Sequence, residues 1–333
     1  MSEENEISKI LARNLRRKDF VPYSDKSFLN ENALALKYAE IFGIEPNNNW
    51  VEAFKIITEG QGGEIRKINS LISSSLLSLL AFHKLFRNKT NLRIEIELPG
   101  YENTVKFDKC LFEVRNRVIK LPSCVDIVLY STESNVLLFL ESKFTEYFST
   151  SEKTLYGKGY IDLYTKYLLN ALSSYLKIGR DKSKKKEMLS LEINGNGKRY
   201  IEGIKQSVSH LIGLVKGPSK GGQGYYPEEY YAGYQKLYDN ACALYYGTIL
   251  FEPSGLKEDN GLFEDYSNLY CDTIGTHGEE IIEGIRKWIK SQNKNCDKAK
   301  RIIVLKKPLT YQSLFKGVNT SLLTSDIQSF YSL

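Results

Sequence analysis

Two carboxylates and an ammonium group fall where one stretch of chain can bring them together. In residues 124–147, CVDIVLYSTESNVLLFLESKFTEY, Asp126 stands before the apolar run 127–130, and Glu141 and Lys143 follow the run 136–140. Residues 131–135 form a polar turn between the runs. With 132–135 as the loop, Asp126 lies directly opposite Glu141 on the neighbouring strand, their Cβ atoms roughly 5 Å apart, and Lys143 joins the same face two residues on. Like charges directly opposed cost free energy unless positive charge sits between them, and a hard divalent cation held by oxygen ligands is the usual solution. The three groups therefore read as a metal site. The plainer alternative makes Asp126 and Glu141 ordinary polar residues where strands surface, with Lys143 as a neutralising neighbour. Against it, both runs are apolar on both faces, as strands in the middle of a sheet under helices are, and unpaired charge there is expensive.

Such strands need a core around them. A chain of 333 residues, 42% hydrophobic and 26% charged, can bury one large domain or two modest ones. The longest apolar run, around 76–82, is too short to span a bilayer, and the polar opening MSEENEISK lacks the basic-then-apolar order of a signal peptide. A cytoplasmic protein with no membrane partner is expected. Five cysteines without a C-x-x-C pair indicate neither a disulfide framework nor a cysteine zinc site. A formal net charge of +6 permits a polyanionic partner without demanding one.

Elements that could position the charged groups follow from spacing and breakers. A basic segment with Arg13, Arg16, Arg17 and Lys18 precedes a helical pattern over 28–42 that Gly43 and Pro46 end, and Trp50, Ala53, Phe54 and Ile57 repeat at helical spacing up to the glycine-rich stop 60–63. Glu64 then opens a pattern in which Ile65, Ile68, Ile72, Leu76, Leu79 and His83 share one face of a long helix. The run GQGGEIRK lacks both the spacing of a phosphate loop and a strand before it, so nucleotide binding is rejected there. Glu64 by itself reads as a carboxylate favouring the positive end of a helix dipole. Residues 92–98 and 111–119 alternate as half-buried strands and lead into the central hairpin.

Beyond residue 147, helices are expected over 160–178 and 199–214, the latter carrying Gln206 and His210 one turn apart and ended by Gly213 and Gly217-Pro218. Tyr230, Tyr234 and Tyr238 form a helical stripe inside a proline start, read as core packing in preference to a platform for stacking bases. Residues 248–251 and 301–305 are short apolar strands with the amphipathic helix 278–289 between them. The alternation points to an α/β fold with a mixed central sheet flanked by helices. His83, His210 and His277, the last placed in a loop, carry no assigned catalytic role, and no serine-hydrolase elbow accompanies them.

Three blocks carry a family comparison: Gly60-Gln61-Gly62-Gly63-Glu64 with the serine run after it, Asp126 with Glu141-Ser142-Lys143-Phe144-Thr145-Glu146-Tyr147, and Gln206-x3-His210-x2-Gly213-Leu214. In this order the chain resembles the PD-(D/E)xK nuclease superfamily, and within it a group of predicted bacterial type II-like restriction endonucleases. Val125 stands where the namesake proline often does. The resemblance covers roughly 50–252. It implies a restriction-endonuclease-like core over 49–310 with inserted loops and helices, an N-terminal helical arm over 1–48 and a C-terminal extension over 311–333.

The resemblance also implies a chemistry. Asp126 and Glu141 would bind Mg2+, with Mn2+ able to substitute, the backbone carbonyl of Ser142 as a further ligand and Glu64 completing the acidic cluster. Lys143 would orient the attacking water and favour its deprotonated form, and Gln206 would contact a phosphate or support the site from behind. The implied activity is magnesium-dependent endonucleolytic hydrolysis of double-stranded DNA to 5′-phosphate and 3′-hydroxyl ends, in defence against foreign DNA. A cognate DNA methyltransferase and a homodimer are the partners such systems use. The alternatives are a nuclease of repair, recombination or transposition, and a noncatalytic DNA-binding module of the same fold.

Lys182, Lys184, Lys185 and Lys186 form a basic run that supplies charge without base readout. Neutralising all four is expected to flatten the dependence of log K for DNA on log salt, because fewer counterions are released on binding. An unchanged slope in a salt titration would assign the run to a solvated loop.

Overall fold

The computed structural model describes residues 31–59, 73–119, 121–144, 154–156, 158–174, 176–180, 189–193, 201–252, 261–292 and 300–331. Helices α1 (Glu31–Ile41) and α2 (Asn48–Thr58) come first, separated by Gly43 at φ 61°. Asn47 caps α2 by accepting the Trp50 N–H at 3.0 Å, and Trp50, Ala53, Phe54 and Ile57 are buried on the face that their spacing requires. Helix α3 (Ser74–Phe82) is shorter than the sequence pattern suggests. Ser73, in extended backbone, caps it by accepting the Leu76 N–H at 3.2 Å, so this helix starts at Ser74; positions 64–72 of the expected helix lie outside the described residues. A serine run favours a cap over a helix interior because its hydroxyls compete for backbone partners.

Strands β1 (Ile94–Ile96) and β2 (Val105–Phe107) pair as a separate ribbon. The expectation that 92–98 leads directly into the main sheet is thus corrected. The main sheet has six strands: β3 (Lys109–Asn116), β4 (Ser123–Ser131), β5 (Val136–Lys143), β9 (Ala243–Leu250), β10 (Arg301–Val304) and β11 (Leu309–Thr310). Its order is β10–β9–β5–β4–β3, with β11 also on β9. The steps β3–β4–β5 are antiparallel, and β5–β9, β9–β10 and β9–β11 are parallel, so the sheet is mixed. Strands β6 (Thr154–Tyr156), β7 (Leu176–Arg180) and β8 (Leu189–Ile193) make a three-stranded sheet of their own. The helix expected over 160–178 therefore ends early. Helical turns span 158–172, and residues 176–180 pair antiparallel with β8.

The longer helices that follow among the described residues are α4 (Ile201–Lys216), α5 (Glu228–Asn240), α6 (Leu262–Tyr270), α7 (Thr276–Ser291) and α8 (Ser325–Tyr331). His277 lies in α7, not in a loop. One side of the sheet, with Ile127, Leu129, Leu138 and Leu140, packs on α1–α3 and the 311–331 region; the other, with Val128, Tyr130, Leu137 and Phe139, packs on α4, α5 and α7. All eight residues of β5 are buried, the apolar run 136–140 and the polar Glu141, Ser142 and Lys143 alike. Tyr230, Tyr234 and Tyr238 of α5 are buried too. Their hydroxyls donate to Phe112 O, Asn116 Oδ1 and Leu214 O, so the tyrosine stripe is core and not a stacking surface. Among the described residues no helix is long and apolar enough to cross a membrane.

Helix α4 lies tight against β3. A Cβ on Gly213 would stand 2.6 Å from Asn116 Cβ, so only glycine allows this approach. Gly213 is interior to the helix, which ends at Gly217 with φ 80°. The substitution Gly213→Ala is expected to destabilise the protein by about 1–3 kcal/mol, because overpacking must push α4 off the sheet. Equilibrium urea unfolding measures this, and a wild-type midpoint would show that the helix can shift freely.

Candidate functional site

The hairpin pairs in the register read from its turn. Ile127 lies opposite Leu140, Tyr130 opposite Leu137 and Ser131 opposite Val136, with Asn135 at φ 55° closing the loop. Continued by one residue, this register places Asp126 beside Glu141. There the ladder stops. β4 stays paired with β3 as far as Ser123, opposite Asn116, while β5 stays paired with β9 as far as Lys143, opposite Leu250. The two strands carrying the carboxylates each follow their outer neighbour, and the sheet opens between them. The Asp126 carboxylate fills part of the loss, since its Oδ2 accepts the Ser142 backbone N–H at 2.7 Å.

A second distortion crosses the same row. Phe112 and Ile127 are partners on one side of the sheet, yet Val114 and Val125, two residues away, pack in the opposite layer. Simple alternation would keep both pairs on one side. The inversion occurs at Glu113, whose φ of 48° breaks the extended backbone, and Glu113 stands in register with Asp126. Glu113, Asp126 and Glu141 thus occupy neighbouring positions on three adjacent strands. A buried carboxylate at Glu113 was not singled out from sequence. The sequence pattern carries this strand on to 119, whereas it ends at Asn116 and pairs Asn116 with Ser123, the register that brings Glu113 opposite Asp126.

Glu141 is 5% exposed and touched from two directions. Lys143 Nζ donates to its Oε1 at 2.8 Å, and His210 Nε2 from α4 stands 2.8 Å from its Oε2. Burial alone favours the neutral acid, but the Lys143 ammonium and then His210 outweigh it and hold the Glu141 carboxyl down at about 2. Asp126 goes the other way. Burial, the Glu141 charge and the Glu113 charge push its carboxyl well above the usual carboxylate range, against the smaller pull of Lys143 and the Ser142 N–H. Two neighbouring acids whose environments drive them apart are the signature of charge crowding that a proton or a cation relieves.

His210 continues outward. Its Nδ1 lies 2.5 Å from Ser123 Oγ, and its ring packs 5.9 Å from that of Tyr246, whose hydroxyl is 3.1 Å from Ser207 Oγ. Sequence reasoning gave His210 no catalytic role, since a histidine on a helical pattern is usually packed. Gln206 lies one turn earlier on α4 and is half-buried, and the helix contact to Glu141 comes from His210. Ser142 faces the other side of the sheet, with Oγ 2.8 Å from the Tyr311 hydroxyl. Glu64, residues 145–147 and Lys182, Lys184, Lys185 and Lys186 lie outside the described residues.

Among the described residues no group of three His, Cys, Asp or Glu side chains is arranged to hold a metal ion. A closed zinc site is therefore not formed by them. The donor set fits magnesium better, because that ion takes one or two carboxylates and completes its shell with water and substrate oxygens. No family model, no curated protein and no solved structure matches the chain.

Asp126→Asn keeps an oxygen that can accept the Ser142 N–H and removes one charge from the carboxylate row. The metal-free protein is expected to gain ~0.2–1 kcal/mol in chemical denaturation near neutral pH. A loss of stability would show that the Asp126 charge is already compensated.

Proposed function

We propose that the chain is a magnesium-dependent endonuclease that hydrolyses DNA to 5′-phosphate and 3′-hydroxyl ends, built on a restriction-endonuclease-like core of the PD-(D/E)xK type. The observation that carries this reading is the opening of the sheet between β4 and β5, with Asp126 on one lip and Glu141 and Lys143 on the other. Asp126 and Glu141 are the residues that would hold magnesium, with the Ser142 carbonyl and Glu64 as further candidates. When bound, the ion supplies Lewis-acid polarisation of a phosphoryl oxygen and offsets charge that develops in an in-line displacement.

The chain's own residues do the rest. Lys143 carries a positive charge beside Glu141, where it can orient a water and favour its deprotonated form. Asp126, whose carboxyl is pushed up by burial and then by the Glu141 and Glu113 charges, has the most to gain from a cation at the opening. The burial of Glu141 keeps solvent from competing for its oxygens, which strengthens each electrostatic contact there. A role in restriction, with a methyltransferase as partner, extends this reading; a repair nuclease would use the same residues.

The structure also refines the test. Truncating Lys143 to alanine would leave a buried carboxylate short of its partner, at a cost of several kcal/mol, so Lys143→Gln, which retains an N–H donor, is the cleaner variant. Lys143→Gln is expected to bind duplex DNA in a calcium gel shift and to cut supercoiled plasmid in magnesium orders of magnitude more slowly than wild type. Asp126→Ala is expected to abolish cutting. Wild-type protein that leaves plasmid intact in both magnesium and manganese, or Lys143→Gln that cuts at the wild-type rate, would defeat the assignment.

A further inference from the structure

Three described side chains bridge the opening between β4 and β5 where the backbone ladder has ended. Ser123 begins β4, three residues before Asp126; His210 projects from α4; Glu141 lies near the end of β5. The contacts run Ser123 Oγ to His210 Nδ1 at 2.5 Å, then His210 Nε2 to Glu141 Oε2 at 2.8 Å. A connection normally made by peptide hydrogen bonds is made here through a helix.

We propose that His210, held by Ser123, is a positioning residue that fixes Glu141 as a metal ligand and sets its separation from Asp126. This rests on the proposed metal site and adds residues outside the acid, acid and lysine set. Three observations carry it. First, the two oxygens of Glu141 have different neighbours: Oε1 accepts a hydrogen bond from Lys143 of its own strand, and Oε2 lies 2.8 Å from His210 Nε2 on the helix, a close approach without hydrogen-bond alignment, so the carboxylate is confined from two sides. Each oxygen keeps a lone pair for a cation. Second, the imidazole cannot rotate freely: Ser123 holds Nδ1, Tyr246 packs against the ring, and the residue is 4% exposed. Third, α4 is locked to the sheet by the close approach of Gly213 to Asn116, so a contact made from the helix is made at a fixed distance.

The tautomer follows from the geometry. A hydroxyl at Nδ1 can donate to it, which leaves the ring hydrogen on Nε2, the nitrogen that lies 2.8 Å from Glu141 Oε2 in a close contact without hydrogen-bond alignment. Carboxylates that ligate metals are themselves held by hydrogen bonds from outside the coordination shell, and loss of such a partner weakens metal binding by about 10–100-fold. The same three residue types form the triad of serine hydrolases, and that alternative is separable by experiment. Ser123 here starts a strand of the central sheet, whereas the serine of an α/β-hydrolase sits on a sharp strand-to-helix turn.

Calorimetric titration of the full chain with Mn2+ alone, beside thermal unfolding of each variant, tests the proposal. Wild type is expected to bind Mn2+. His210→Ala is expected to bind about 10–100-fold more weakly, Ser123→Ala to lose affinity in the same direction by less, and His210→Gln, which retains an N–H donor, to recover part of the loss. These losses should not follow the order of the unfolding midpoints. If wild type binds Mn2+ and both Ser123→Ala and His210→Ala bind it equally well, the positioning role is overturned while the metal site stands. If wild type binds no Mn2+ at millimolar concentration, the metal site itself fails and this proposal with it. Should His210→Ala not fold, Ser123→Ala and His210→Gln decide. Covalent labelling of Ser123 by a fluorophosphonate would overturn the positioning role in favour of a nucleophilic serine.

Discussion

Repulsion between carboxylates on neighbouring interior strands is the constraint around which this protein is arranged. Asp126 and Glu141 meet at the end of a hairpin whose paired runs 127–130 and 136–140 are apolar and buried on both faces. Burial and then the Glu141 and Glu113 charges push the Asp126 carboxyl up, toward its neutral form. Glu141 is instead kept ionised by Lys143 and His210. The asymmetry follows from the partners. Lys143 and His210 both reach Glu141, while Asp126 has the Ser142 N–H and the charges of Glu141 and Glu113 around it.

The sheet accommodates this by opening, and it can open because each strand has a second neighbour. β4 is paired with β3 beyond the point where it leaves β5, and β5 is paired with β9 beyond the point where it leaves β4. Two strands alone would fray at such a place. In a six-stranded sheet the lost hydrogen bonds are confined to one seam, and the Asp126 carboxylate replaces one of them. The left-handed backbone at Glu113 belongs to the same accommodation. By inverting the faces of β3 and β4 it lets apolar Val114 and Val125 stay buried while the strands turn at the charged row.

Much of this was legible in the sequence, for identifiable reasons. The hairpin register followed from the length of the polar turn between two apolar runs, since loop length sets which residues of a hairpin face each other. The α2 face and the buried tyrosines followed from helical spacing. What escaped was set by tertiary contact. His210 lies 69 positions from Glu141, and nothing in a helical pattern says which strand a helix will cross. The inversion at Glu113 depends on a backbone angle that no side chain there demands. Gly213 looked like a helix end because glycine commonly is one; here it lies inside the helix, because α4 must approach Asn116 closely. The early end of the helix after residue 172 reflects pairing of β7 with β8, a long-range contact that overrides local preference.

The end of β5 is held from both faces at once, and this explains how a buried opening can keep its shape. Consecutive residues of a strand point to opposite sides, so Glu141 and Ser142 must engage different layers. Glu141 meets His210 of α4 on one side. On the other, Ser142 Oγ lies 2.8 Å from the Tyr311 hydroxyl and 3.4 Å from Ser74 O at the start of α3, and Tyr311 in turn lies 3.2 Å from Ser78 Oγ. Moving the strand toward or away from β4 would therefore strain hydrogen bonds in both layers. The proposed metal site would need its ligands held to within a fraction of an ångström, and rigid elements achieve this better than loops. The small polar contacts around Ser142 thus serve the same end as the charged ones around Glu141: they fix the spacing of two carboxylates that would otherwise separate.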